Sequence, residues 1–122
     1  MRFLIIVLLA FMVGCTSSVE DGIVKDVTQI SGVDPAVINH TDKITGYDFK
    51  NVDFGKIDEI RNSVDRNFGD MPVYEKKLEV LETYSTKGWT WENSEREVYL
   101  AVKYPLNEDL INVDIYIEIT EK

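Results

Sequence analysis

Ile57, Ile60, Val64 and Phe68 recur at helical spacing and share one narrow stripe of a helical wheel. Lys56, Asp58, Glu59, Arg61, Asn62, Asp65 and Arg66 take the remaining positions, with Asp58 and Arg61 three apart on the wet side. Gly69 stands where a left-handed cap is wanted, and Pro72 forbids the helix from resuming. The pattern predicts an amphipathic helix over 55–68 with one buried face.

After Pro72 the period falls to two. Tyr74 to Tyr84 reads as a strand, with Leu78 and Val80 alternating with Lys77 and Glu79. Ser85-Thr86-Lys87-Gly88 has turn composition, and Trp89-Thr90-Trp91 puts two indoles on one side of the next strand. Asn93-Ser94-Glu95 predicts another turn. Val98, Leu100, Val102 and Tyr104 then alternate with Tyr99, Ala101 and Lys103, and Pro105 to Asp109 reads as a loop. In the last strand Ile111, Val113, Ile115, Ile117 and Ile119 share one face. Asn112, Asp114, Tyr116, Glu118 and Thr120 share the other.

A meander with one apolar face needs a cover, and the helix supplies it. The expected fold is α+β: a small two-layer domain over residues 44–122, an antiparallel β-meander of three to four strands covered by an amphipathic helix. Ile44 to Phe49 reads as a short edge strand. Upstream, Ile23, Val27 and Ile30 have helical spacing, yet Ile23-Val24 and Val27-Thr28 are β-branched and favour a strand. Asp34-Pro35 looks like an N-cap with proline at the first helical position, opening one turn through Ala36-Val37-Ile38. Residues 15–43 are therefore expected to be a tether and weakly structured chain that docks on the domain.

The N-terminus has a different logic. Arg2 precedes an unbroken apolar run from Phe3 to Val13, too short at 1.5 Å per residue to span a core of roughly 30 Å. A basic start, a short apolar run and a small residue at the break make a secretory signal. Met12-Val13-Gly14-Cys15 resembles the lipobox of bacterial lipoproteins, with Met12 where that family prefers Leu. The resemblance implies a signal peptide over 1–14 and a diacylglyceryl group on the Cys15 thiol, with acylation of the new amine. It also implies export, and Thr16 in place of a retaining Asp implies an outer-membrane anchor facing the periplasm. Two or more acyl chains hold a protein on a membrane stably. Cys15 is the only cysteine, so a lipidated chain has no disulfide, thiolate metal ligand or cysteine nucleophile.

Charge narrows the partners. Thirteen Lys and Arg against 22 Asp and Glu give a net charge of −9, which argues against nucleic acid as a ligand. At 44% apolar residues the chain is too hydrophobic to be wholly disordered. The lone His40 sits between Asn39 and Thr41 and reads as a solvated loop histidine. Asp48, Asp53 and Asp58 do not fit a calcium loop, Glu92 and Glu95 read as turn composition, and no serine sits in a nucleophile elbow. No enzyme, metal or cofactor is expected. The aromatics carry the remaining signal. Trp89 and Trp91 are core anchors or a recognition patch, while Tyr99 and Tyr116 lie on the polar faces of their strands. All four are candidate partner contacts.

The order of lipobox, amphipathic helix, Trp-x-Trp strand and two apolar strands resembles the small SmpA/OmlA-type outer-membrane lipoproteins. Phe54-Gly55-Lys56-Ile57-Asp58-Glu59-Ile60 is similar to their helix opening, without its Met-Thr, and Gly69 to their helix-ending glycine. The resemblance implies helices on a three-stranded antiparallel sheet and a non-enzymatic accessory role in outer-membrane assembly. A second expectation comes from charge: an exported acidic inhibitor or exclusion factor that binds a basic enzyme of lysozyme type or blocks phage entry.

Overall fold

The computed structural model describes residues 18–80, 84–105 and 112–122. In chain order its elements are α1 (Ser18–Ser31), β1 (Ala36–Asn39), β2 (Ile44–Asp53), a 3-10 turn (Phe54–Lys56) and α2 (Ile57–Phe68). Four strands follow: β3 (Tyr74–Val80), β4 (Tyr84–Glu92), β5 (Arg96–Pro105) and β6 (Asn112–Glu121). The fold is α+β, as the periodicity predicts, but the strands form one six-stranded antiparallel sheet in the order β1-β2-β6-β5-β4-β3. It is wider than the three to four strands expected, because β1 and β2 add to the meander through β6.

The stripe of α2 folds as the wheel requires. Ile57, Ile60 and Val64 are buried, and Gly69 ends the helix at φ 87° with its N–H on the Asp65 carbonyl. On β6, Val113, Ile115, Ile117 and Ile119 are buried and the intervening residues are not. They pack with Phe49, Val52, Val98, Leu100, Val102, Trp89 and Trp91 under the two helices. Ile111, the loop after Pro105 and the side chains of Leu78 and Val80 lie outside the described residues.

Several expectations are corrected. The stretch read as a weakly structured tether is helical: α1 buries Ile23 and Val27 completely and packs Val19 and Ile30 against the same core. Tertiary burial overrides the modest cost of β-branched residues in a helix. Asp34-Pro35 opens no helical turn, since Ala36 to Asn39 pair with Asp48 to Thr45 as β1. That pairing makes β2 an interior strand rather than an edge. Asn51, at φ 58°, sits in a bulge that shifts the β2–β6 register between Phe49 and Val52. Ser85 to Gly88 form no turn, because β4 runs straight through them. The turn at Asn93 is present, with its side chain accepting from the N–H groups of Glu95 and Arg96.

Candidate functional site

Both helices lie on one face of the sheet, and among the described residues no helix covers the opposite, open face. One rung crosses all six strands on that side: Ile38, Gly46, Glu118, Tyr99, Thr90 and Tyr74. The next rung holds Ala36, Asp48, Tyr116, Ala101 and Gly88. Small residues and tyrosines alternate here with carboxylates.

Tyr116 and Tyr99 are half-buried rather than free-standing, and two glycines explain this. A Cβ at Gly46 would collide with the Tyr116 ring, and a Cβ at Gly88 would sit 2.8 Å from the Tyr99 hydroxyl. Each ring therefore lies diagonally across a glycine on the neighbouring strand, covering backbone that the missing side chain leaves bare. Gly88 supplied the false turn signal; its actual role is to make room for Tyr99. The tyrosines remain on the open face, and the edge rung ends in Tyr74, which is 61% exposed.

Tyr116 is also the centre of a polar cluster. His40 Nε2 lies 2.8 Å from the Tyr116 hydroxyl, which donates to Glu118 Oε2 at 2.8 Å. His40 is exposed in the loop after β1, as expected, and from there it ties that loop to the middle of the sheet. Burial, then the hydrogen bond and charge of Glu118 and the charge of Asp48, push the Tyr116 phenol up to about 12. A phenol held neutral in the folded state and ionising near 10 when unfolded has a definite linkage sign. The unfolded chain loses its proton first, so this contribution is present below pH 10 and is lost as pH rises toward 12. Tyr116→Phe is expected to flatten the fall in denaturant midpoint over that window; an unchanged slope would remove Tyr116 as its source. Tyr47 shifts upward too, through burial and then its hydrogen bond to Glu20 on α1, so it contributes a slope that persists in the variant.

Trp89 and Trp91 are not surface contacts. They are 4% and 0% exposed, on the helix side of the sheet. Trp91 Nε1 donates to Asp65 on α2 at 2.7 Å, which lets a large ring be buried without stranding its N–H. Trp89 lies under two cations, Lys87 at 5.1 Å and Arg61 at 5.9 Å from its ring centroid. Its Nε1 and the Arg61 Nε are buried without an acceptor among the described residues.

The electrostatics of the open face are acidic. Asp48, Asp114, Glu97 and Glu118 stand against Lys50 and Lys103 on its central strands. Lys50 is held by Asp48 at 3.3 Å and Asp114 at 3.5 Å, and Lys103 sits 4.3 Å from the Tyr84 ring. Charge is thus neutralised at one end of the face, while Glu118 and Glu97 stay beside Tyr99 on strands β6 and β5. Among the described residues no three His, Cys, Asp or Glu side chains group as metal ligands, and no helix is long and apolar enough to cross a membrane. Cys15 lies outside the described residues. No protein family, curated protein or solved structure matches this chain.

Proposed function

We propose that this chain is a lipid-anchored, non-enzymatic accessory lipoprotein of the bacterial envelope that holds a protein partner on the open face of its sheet. The observation that carries the reading is the rung from Ile38 to Thr90, which spans five strands with no helix over it among the described residues. Tyrosine offers a large contact area and loses little entropy on binding, and rigid strands present it in a fixed array. The anchor is Cys15, and its support is the apolar run closing on Gly14-Cys15. An outer-membrane position facing the periplasm follows from Thr16.

The acid surplus beside Tyr99 favours a second reading of the same face, a membrane-bound inhibitor or exclusion factor for a basic enzyme. Opposite charge would speed its encounter and make it sensitive to salt. One experiment addresses both. A photo-crosslinking residue at Thr90, on the open face, is expected to give a discrete protein adduct in the full-length chain, and one at Glu59, on the exposed side of α2, is not. A basic partner whose adduct fades as salt rises selects the inhibitor; a salt-insensitive adduct with an assembly component selects the accessory role. Equal adducts from both positions would discard the open face as the site. Metabolic labelling with a fatty acid tests the anchor: Cys15→Ser is expected to lose the label entirely, and a retained label would end the lipoprotein reading.

A further inference from the structure

The turn between α2 and β3, with the first residue of β3, leaves three large apolar side chains in water. Met71 is 72% exposed, Val73 62% and Tyr74 61%, and only Pro72 separates them. Neighbouring exposed apolar residues of this kind mark an interaction surface. Their place in the fold identifies what they meet. Asn67, in the last turn of α2, donates to Asp26 at 2.7 Å and closes on Gly22 so tightly that a Cβ there would collide with it. The first half of α1 therefore lies beside the end of α2, and Met71 follows that end directly.

Cys15 stands three residues before Ser18, where α1 begins. At 3.8 Å per step, its Cα lies within about 11 Å of the helix start in any conformation. A lipid on Cys15 would thus leave the domain almost no clearance from the bilayer. The corner built by the start of α1 and the turn after α2 would rest against the headgroups.

We infer that Met71, Val73 and Tyr74 form a second membrane contact, inserting at the bilayer surface beside the acyl chains. The inference rests on the lipidation of Cys15 proposed above. Met71 and Val73 supply the apolar surface, and Tyr74 is suited to the interface by its ring and hydroxyl. Glu20 and Asp21 in the first turn of α1, and Asp70 in the turn itself, outnumber Arg66 in the last turn of α2 and leave this corner acidic. The contact therefore fits a zwitterionic lipid surface and not an anionic one. Asp70 also accepts from the Met71 N–H at 2.8 Å, which sets the direction of the turn.

The test uses the full-length acylated chain in phosphatidylcholine vesicles that carry a spin-labelled quencher lipid. An environment-sensitive dye is placed through Val73→Cys, or through Lys103→Cys at the far end of the sheet. Quenching at position 73 is expected to exceed that at 103 by at least about threefold, since inserted interfacial groups sit only about 5–10 Å deep. Equal quenching, or none at 73, in a chain whose mass spectrum shows acylated Cys15 would overturn the second contact alone. A chain with no acyl mass on Cys15 would overturn the anchor and this inference together.

Discussion

Ile60→Asp is expected to unfold the protein. Ile60 is fully buried at the centre of the α2 stripe, between Ile57 and Val64 and under the same core as Ile115 and Ile117. Truncating such a residue to alanine costs about 2–5 kcal/mol from lost burial and the cavity left behind. The carboxylate adds a desolvation penalty of several kcal/mol, because this stripe offers no positive partner. Together these rival the whole stability of a small domain, about 5–15 kcal/mol. Circular dichroism of the 18–122 chain should show no cooperative melt for Ile60→Asp, whereas Ile60→Val should lose only about 0.5–1.5 kcal/mol. A native-like melt for the aspartate variant would mean that α2 does not pack on the sheet.

Removal of residues 18–43 is expected to be equally damaging. The deletion strips α1, whose Ile23 and Val27 are fully buried and each contribute about 1.5–3 kcal/mol. It also removes β1, so β2 becomes a sheet edge with unpaired backbone groups, a template for aggregation. Tyr47 loses the Glu20 carboxylate that its hydroxyl now bonds. The 44–122 fragment should therefore precipitate or give collapsed, broad amide resonances, while the 18–122 chain gives dispersed ones. A soluble 44–122 fragment with a cooperative transition would restore the boundary that sequence periodicity alone places at residue 44.

These two segments show why some of the fold can be read directly and some cannot. In α2 every local preference agrees: four apolar residues on one stripe, charges elsewhere, a glycine cap and a proline beyond it. In β6 the alternation is unbroken from Val113 to Ile119. In α1 the signals oppose one another, since β-branched Val24 and Thr28 argue for a strand and Gly22 weakens a helix. What decides is contact with α2, which no local window contains. Gly88 misleads for a related reason. Glycine marks a turn when its backbone freedom matters, but here it lacks a side chain so that Tyr99 can lie across it. The candidate site was half legible. Strand alternation places Tyr99 and Tyr116 opposite the core, yet the same alternation cannot say which side the helices cover, and so left Trp89 and Trp91 undecided. The sequence places His40 in a solvated loop but cannot show its bond to Tyr116, which is close only in space.

The pairing of β2 with β6 has a consequence for how the chain is made. Phe49 meets Ile115 and Ile44 meets Thr120, so the middle of the sheet joins segments from the two ends of the folded chain. Closing so long a loop is entropically costly and slow compared with forming the local β4–β5 hairpin. β6 is made after β1 to β5, and until it emerges β2 can pair only with β1. Until then the β1–β2 pair and the β3–β5 meander stay unjoined. The same topology thus delays closure of the sheet until β6 has been made.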